Sequence, residues 1–217
     1  MIKVIVADDH PFIRKAIKAV LDPLSDIEVI AEASNGIEAV KSCVELLPDV
    51  VIMDIGMPVL NGLEATRQIK QKCPKTAVLI LTVYEDSEHI IGLLKAGAAG
   101  YLVKDIFDDV LVHSIHNIVA GETVLSSQAA SQLLKYAGQP SQHVDTGATL
   151  TAREMEVLNL AARGKTNKEI GTLLQLSPLS VKSCLSAIFT KFGVGSRTEA
   201  VILGLRSGLL SLNDLEN

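Results

Sequence analysis

Cysteine is scarce in this chain of 217 residues: it occurs only at Cys43, Cys73 and Cys184. None has a second cysteine at the close spacing of a zinc site or a redox dithiol, so neither chemistry organises the protein, and this usage fits a reducing cytoplasm. Charge is modest at 21%, aromatics are only 3%, and 48% of the residues are apolar. That balance excludes an intrinsically disordered chain. Long apolar runs are missing too. The apolar start, Met1 to Ala7, is stopped by Asp8 and Asp9 before it reaches signal-peptide length, and no uncharged stretch elsewhere is long enough to span a bilayer. These absences predict a globular cytoplasmic protein with no membrane partner, long enough for one or two domains.

The formal net charge of -5 argues against nucleic acid only until it is divided by position. Residues 1–121 carry 11 Lys and Arg against 17 Asp and Glu, whereas residues 148–217 carry 8 against 6, with Asp214 and Glu216 in the tail. An acidic first half and a mildly basic second half have different electrostatic tasks.

In the first 121 residues short apolar runs alternate with helical periodicity, the pattern of a parallel sheet covered on both faces. Ile2 to Ala7, Ile27 to Ala31, Val50 to Met53, Ala77 to Leu81 and Tyr101 to Val103 read as five strands. Ile13, Ala16, Ile17, Val20 and Leu21 mark one face of a first helix, and amphipathic stretches near 36–47, 62–72, 87–96 and 107–120 supply four more. A further helix is expected from Leu125 to Tyr136, then a polar linker rich in Gly, Pro and Ser through 138–147. Past it the strand signals stop. Thr151 with Glu154, Thr166 with Glu169, and Ser196 with Glu199 fit the capping box, while Ser177 with Pro178 is another helix start. The expected organisation is a doubly wound α/β domain over 1–121, a helix and linker over 122–149, and a small all-α domain over 150–217.

Asp8 and Asp9 follow the first strand and Asp54 follows the third. With strand order 2-1-3-4-5 these points are neighbours at the carboxyl edge, where open sheets bind ligands. One like-charge pair at ~4 Å repels by about 4 kcal/mol at an effective dielectric of 20. Such a cluster calls for a divalent cation, and Mg2+ is held by one or two carboxylates while keeping positions open for phosphate oxygens. Thr82 and Lys104 follow the fourth and fifth strands and bring a hydroxyl and an ammonium to the same edge. An acid, metal, hydroxyl and ammonium site suits phosphoryl transfer. His10 is read as a packing or capping residue of the first helix, and His113 and His116 as solvated helix positions rather than metal ligands.

This half resembles a response-regulator receiver domain. The likeness is carried by Val6-Ala7-Asp8-Asp9-His10, by Met53-Asp54-Ile55-Gly56-Met57-Pro58 with Asn61-Gly62, by Leu81-Thr82, and by Ala96-Gly97-Ala98-Ala99-Gly100-Tyr101-Leu102-Val103-Lys104. It implies a flavodoxin-like fold in which Asp54 accepts a phosphoryl group from the phosphohistidine of a sensor histidine kinase. By the same resemblance Asp9, Asp54 and the Gly56 carbonyl bind Mg2+ directly, Asp8 acts through water, Lys104 pairs with a phosphoryl oxygen, Thr82 moves to bond the phosphoryl group, and Tyr101 swings inward behind it. Three carboxylates balanced by Mg2+ and Lys104 make a neutral site until a phosphoryl group of roughly -2 arrives. Gly56 and Tyr84 occupy positions that resemble the family's tuning sites for hydrolysis.

In the basic half, Lys168 to Leu174 and Pro178 to Phe192 read as two helices joined by a tight turn. Val181, Leu185, Ile188, Phe189 and Phe192 form a buried stripe, leaving Lys182, Ser183, Ser186 and Thr190 on a small, polar face suited to the major groove. Pattern alone fits a protein-binding module equally well. The segments Leu150-Thr151-Ala152-Arg153-Glu154, Gly164-Lys165-Thr166-Asn167-Lys168-Glu169-Ile170, Lys191-Phe192-Gly193-Val194 and Ser196-Arg197-Thr198-Glu199-Ala200 resemble a LuxR-type helix-turn-helix domain. With the receiver they resemble a NarL/FixJ-type response regulator. That resemblance implies double-stranded promoter DNA as partner, with Lys182, Ser183 and Ser186 facing base edges and Thr166, Asn167 and Lys168 holding phosphates. It also implies a homodimer on activation. Gly171 and Ser180 are mild departures from the usual alanine and threonine; Cys184 and Ser186 stand where histidine and a longer polar residue are common, which points to an unusual base preference, and Cys184 is read as a semi-buried filler. The expected function is a phosphorylation-controlled transcription regulator, not an enzyme. Two readings from other classes stand beside it: a Mg2+-dependent phosphatase using Asp54, and an interaction adaptor that binds no DNA.

Overall fold

A computed structural model describes residues 1–82, 87–104, 109–137 and 149–211. Among them strands and helices alternate as β1 (Ile2–Ala7), α1 (Pro11–Leu21), β2 (Ile27–Ala33), α2 (Gly36–Leu46), β3 (Val50–Met53), α3 (Gly62–Lys72), β4 (Ala77–Thr82), α4 (Ser87–Lys95), β5 (Gly100–Val103) and α5 (Asp109–Val119). The strands form one parallel sheet in the order β2-β1-β3-β4-β5-β6, where β6 is Val124–Leu125. The five expected strands are present, and the order that places the first and third strand ends side by side holds.

The sixth strand is a difference from the sequence reading, which began a helix at Leu125. Two residues carry no measurable alternation. Val124 and Leu125 extend the sheet because they pair in parallel with Gly100 and Tyr101, and the helix α6 starts two residues later at Ser127–Ala137. Thr149 apart, the expected linker lies outside the described residues, as do Tyr84, Asp214 and Glu216.

Alternation along the strands divides the core. Ile5, Ala7, Val51, Met53, Val78, Ile80 and Tyr101 face α2, α3 and α4, burying Val40, Ile69, Ile90 and Leu93. Val4, Val6, Val50, Ile52, Leu79, Leu81 and Leu102 face α1 and α5, burying Ile17, Leu21, Leu111, Ile115 and Ile118. Each large apolar side chain removed from water contributes roughly 1.5–3 kcal/mol, which makes these two layers the main source of stability.

The C-terminal part is helical: α7 (Ala152–Ala162), α8 (Asn167–Leu174), α9 (Pro178–Phe192) and α10 (Arg197–Arg206). Thr151 and Thr166 form complete capping boxes with Glu154 and Glu169. Ser177 and Ser196 cap α9 and α10 by accepting from Ser180 N and Glu199 N. Val157, Leu158, Ile170, Val181, Leu185, Ile188 and Ala200 form their own core. No single helix among the described residues is long and apolar enough to cross a membrane.

Gly62, at the start of α3, lets that helix approach the end of β3. Its N–H donates to Ile55 O at 3.0 Å, and a Cβ there would lie 2.0 Å from Asp54 O. Gly62→Ala should therefore force the backbone beside Asp54 apart and destabilise the chain by about 2 kcal/mol or more. Urea unfolding reads the loss; an unchanged midpoint would contradict this packing.

Candidate functional site

The sheet's hydrogen bonding continues one residue past three strands and so fixes where the polar side chains begin. Asp8 N–H donates to Ala33 O at 3.0 Å, Asp54 N–H to Ala7 O at 2.8 Å, and Lys104 N–H to Thr82 O at 2.8 Å. Asp8, Asp54 and Lys104 thus leave the same edge of one rigid layer. Lys104 Nζ sits between the two acids, 2.7 Å from Asp8 Oδ2 and 2.9 Å from Asp54 Oδ1. All three side chains are below 10% exposed. Gly56 N–H donates to Asp54 Oδ2 at 3.1 Å and His10 N–H to Asp8 Oδ1 at 2.9 Å.

Burial pushes the Asp54 carboxyl above its ordinary range, and the bond and charge of Lys104 offset this only in part. Burial alone would lower Lys104, but its bonds to Asp8 and Asp54 outweigh that and hold it above the usual value. The arrangement is a desolvated carboxylate held by one ammonium and one amide, a group with nucleophilic character and donors already in place for added oxygen atoms.

Asp9 is the partly exposed member of the acid set. Its Oδ1 is shielded from water and faces His10 Nδ1 at 2.7 Å. Three clustered carboxylates against one ammonium leave uncompensated negative charge, which fits a hard divalent cation. His10 departs from the sequence reading. It occupies the N-cap position of α1 without a side-chain cap bond, and at 69% exposure it does not pack; its ring instead turns to Asp9. His116 bonds Asp26 at the surface, Nε2 to Oδ2 at 2.6 Å.

Thr82 is fully buried at the end of β4 and Tyr101 is 1% exposed in β5. Their register, Ile80 with Tyr101 and Thr82 with Val103, sets them on adjacent strands. Tyr101 already belongs to the apolar layer with Ile80 and Ile90, so its ring is inward in this conformation.

In the helical part, α8 and α9 meet at 103°, within the range of a helix-turn-helix. Gly171 explains the tight turn: Leu176 N–H donates to its carbonyl at 2.8 Å, and a Cβ would stand 2.6 Å from Leu176 O. Lys182, Ser183, Ser186 and Thr190 are exposed on α9, and Ser186 and Thr190 return their hydroxyls to the carbonyls four residues back. Lys168 is exposed and Thr166 is half-buried as the cap of α8.

Two of the expected DNA contacts are engaged elsewhere. Lys182 Nζ donates to Val119 O at 3.0 Å, and the Asn167 amide, buried, donates to Ala120 O. Both acceptors are carbonyls at the C-terminal end of α5, the negative end of a helix dipole. Thr198 Oγ1 bonds Thr123 Oγ1 at 2.9 Å nearby. Sequence reasoning missed Arg197, which is buried and donates to Ala161 O, Lys165 O and, at 3.4 Å, Asn167 Oδ1. Burial lowers its pKa to about 10. The signal was available: a cation in the first turn of α10 opposes that helix's dipole, so its place needs another partner, here the carbonyls closing α7.

Comparison with known proteins gives two family matches: the description "Response regulator receiver domain" over residues 4–116 and "Bacterial regulatory proteins, luxR family" over residues 148–203. The chain is 37% identical to the transcriptional regulatory protein LiaR of Bacillus subtilis (strain 168), covering 97% of this chain and 100% of that one. Among solved structures, the response regulator ChrA of a heme-sensing two-component system is 33% identical, with TM-score 0.52 over 96% of this chain and 98% of that one. A structure of two RcsB dimers bound to two parallel DNAs shares the fold, with TM-score 0.56 and 23% identity over 95% and 98% of the respective chains.

Removing the ammonium isolates this geometry. Lys104→Met leaves two buried acids unpaired and should cost about 3–5 kcal/mol without metal. Added Mg2+ should then raise the unfolding midpoint of the variant more than that of the parent chain. Equal stability of the two in a chelator would contradict the pairing.

Proposed function

The chain belongs to the response-regulator family, a receiver joined to a LuxR-type DNA-binding domain in a phosphorylation-controlled transcription regulator, and on that premise we propose that Asp54 is its phosphoacceptor. The observation that carries the assignment is the Lys104 ammonium shared by Asp8 and Asp54 at the sheet edge. A carboxylate oxygen of Asp54 attacks the phosphorus of a phosphohistidine on a sensor histidine kinase. The P–N bond breaks, the imidazole leaves with its electron pair, and an acyl phosphate forms on Asp54. Lys104 exchanges an aspartate oxygen for a phosphoryl oxygen, Thr82 hydrogen-bonds a second, and the inward Tyr101 ring fills the space behind Thr82.

Asp9, Asp54 and the Gly56 carbonyl would hold Mg2+, with Asp8 acting through water. The ion supplies positive charge that lowers the repulsion between the entering phosphoryl group and the acids. The carboxylates of Asp8 and Asp9, whose oxygens lie within 4.8 Å of each other, with Asp54 across Lys104, support this set.

Residues 1–121 act as receiver, 122–149 as connector and 150–217 as output. Lys182, Ser183 and Ser186 read base edges while Thr166, Asn167 and Lys168 hold phosphates. Since Asn167 and Lys182 are bonded to the end of α5, phosphorylation acts by releasing them, and two released copies pair on two half-sites. The RcsB complex with DNA supports the dimeric arrangement. The site of action is the cytoplasm, where promoter DNA and the kinase's phosphohistidine are both reachable.

Asp54→Asn should abolish Mg2+-dependent labelling by acetyl phosphate; undiminished labelling at another residue would overturn the assignment. Beryllofluoride, a phosphoryl mimic, should tighten binding to a cognate promoter fragment. Lys182→Ala should weaken that binding and relax the preference for the base it reads, whereas Lys168→Ala should reduce the slope of log affinity against log salt by roughly 1. Affinity and base preference unchanged by the first substitution would remove Lys182 from the interface.

A further inference from the structure

Lys70, in the last turn of α3, lies where the two halves of the protein meet. Its Nζ donates to Pro74 O at 2.8 Å and Thr76 O at 3.0 Å, which ties the end of the side chain to the turn before β4. The stem is enclosed by two glycines from different halves: Gly97 between α4 and β5, and Gly195 between α9 and α10. A Cβ on Gly97 would stand 3.0 Å from Lys70 Cγ and 3.3 Å from Gly195 Cα. A Cβ on Gly195 would stand 2.8 Å from Lys70 Cε and 3.4 Å from Gly97 Cα.

The two glycines have different reasons. Gly97 has φ +92° and needs glycine for its own backbone. Gly195 is not in the left-handed region, and the three atoms nearest its missing Cβ all belong to the receiver half. Nothing in its own helical unit crowds the position. The contact across the two halves is what leaves no room for a side chain there.

Neighbouring groups complete the joint. Glu199, in the first turn of α10, accepts from Gly195 N–H at 2.7 Å, and its charge partly offsets the burial that lowers Lys70 to about 8. Ile202 of α10 and Ala129 of α6 are buried in the same apolar cluster as the receiver's Ile90 and Leu93.

We propose that Gly97, Gly195 and the stem of Lys70 form a size-gated joint through which the helical unit docks on the receiver, so that side-chain volume at position 195 sets how much of the chain is closed. The joint is remote from Asp54 and is a second control on the same closed state. The inference depends on the DNA-binding reading for its affinity readout alone, because closure is measured independently.

The test uses the full chain as Gly195→Leu, Lys70→Ala and the double variant, with Gly195→Ala as a milder step should leucine prevent folding. Small-angle scattering reads closure, and anisotropy with a mixed-sequence DNA duplex at low salt reads access to the output helices. Gly195→Leu should enlarge the radius of gyration and tighten duplex binding on the order of fivefold, as expected when the competent fraction rises by that factor. Gly195→Ala should shift both in the same direction by less. Adding Lys70→Ala to Gly195→Leu should return both towards the parent values, because the removed stem makes room for the new side chain. An unchanged radius in both position-195 variants, or a double variant as expanded as Gly195→Leu, would overturn the joint. Expansion without tighter duplex binding would uphold the joint and count against the DNA-binding reading.

Discussion

One ammonium group holds the edge of this protein together. Lys104 bridges two carboxylates that the strand order forces into proximity, with all three side chains buried. A buried pair left without its partner is costly, so the same contact that steadies the sheet edge favours the charged form of Asp54 against its burial and fixes its orientation. The lysine therefore has two positions to serve: between the acids, and beside whatever oxygen atoms are added to one of them. A site held by exchangeable partners is a site that can change state.

The second constraint is that the helices assigned to DNA are not free. Carbonyls at the end of α5 accept from Asn167 and Lys182, and Arg197 fixes Asn167 from behind. On the proposed assignment Asn167 would hold a backbone phosphate and Lys182 would reach a base edge. The end of a helix, with its unsatisfied carbonyls and partial negative charge, is a physical stand-in for that backbone. If DNA takes Asn167 and Lys182 as proposed, receiver and DNA compete for the same donors, which would couple the two halves without a dedicated signalling path between Asp54 and α9.

Much of this was legible in the sequence because it rests on local pattern. Strand alternation placed Asp8, Asp54, Thr82 and Lys104 at one edge, and the capping signals of Thr151, Thr166, Ser177 and Ser196 marked the helix starts. What escaped was what depends on partners distant in the chain. Val124 and Leu125 are a strand only because Gly100 and Tyr101 offer an unpaired edge. His10 reads as a helix cap until Asp9 is seen beside it. Gly171 looks like a mild family departure, yet it is the residue that lets Leu176 close the turn, and Gly195 carries no local signal at all.

On the proposed mechanism, a phosphoryl group added at Asp54 frees Asn167 and Lys182 from the end of α5. Amide hydrogen exchange through α5, α8 and the first turns of α9 tests this most directly, comparing the full chain with and without acetyl phosphate and Mg2+. Exchange at 119–121 and at the start of α8 should quicken on phosphorylation and stay unchanged in Asp54→Asn. Identical exchange in the phosphorylated and unphosphorylated chains would contradict it.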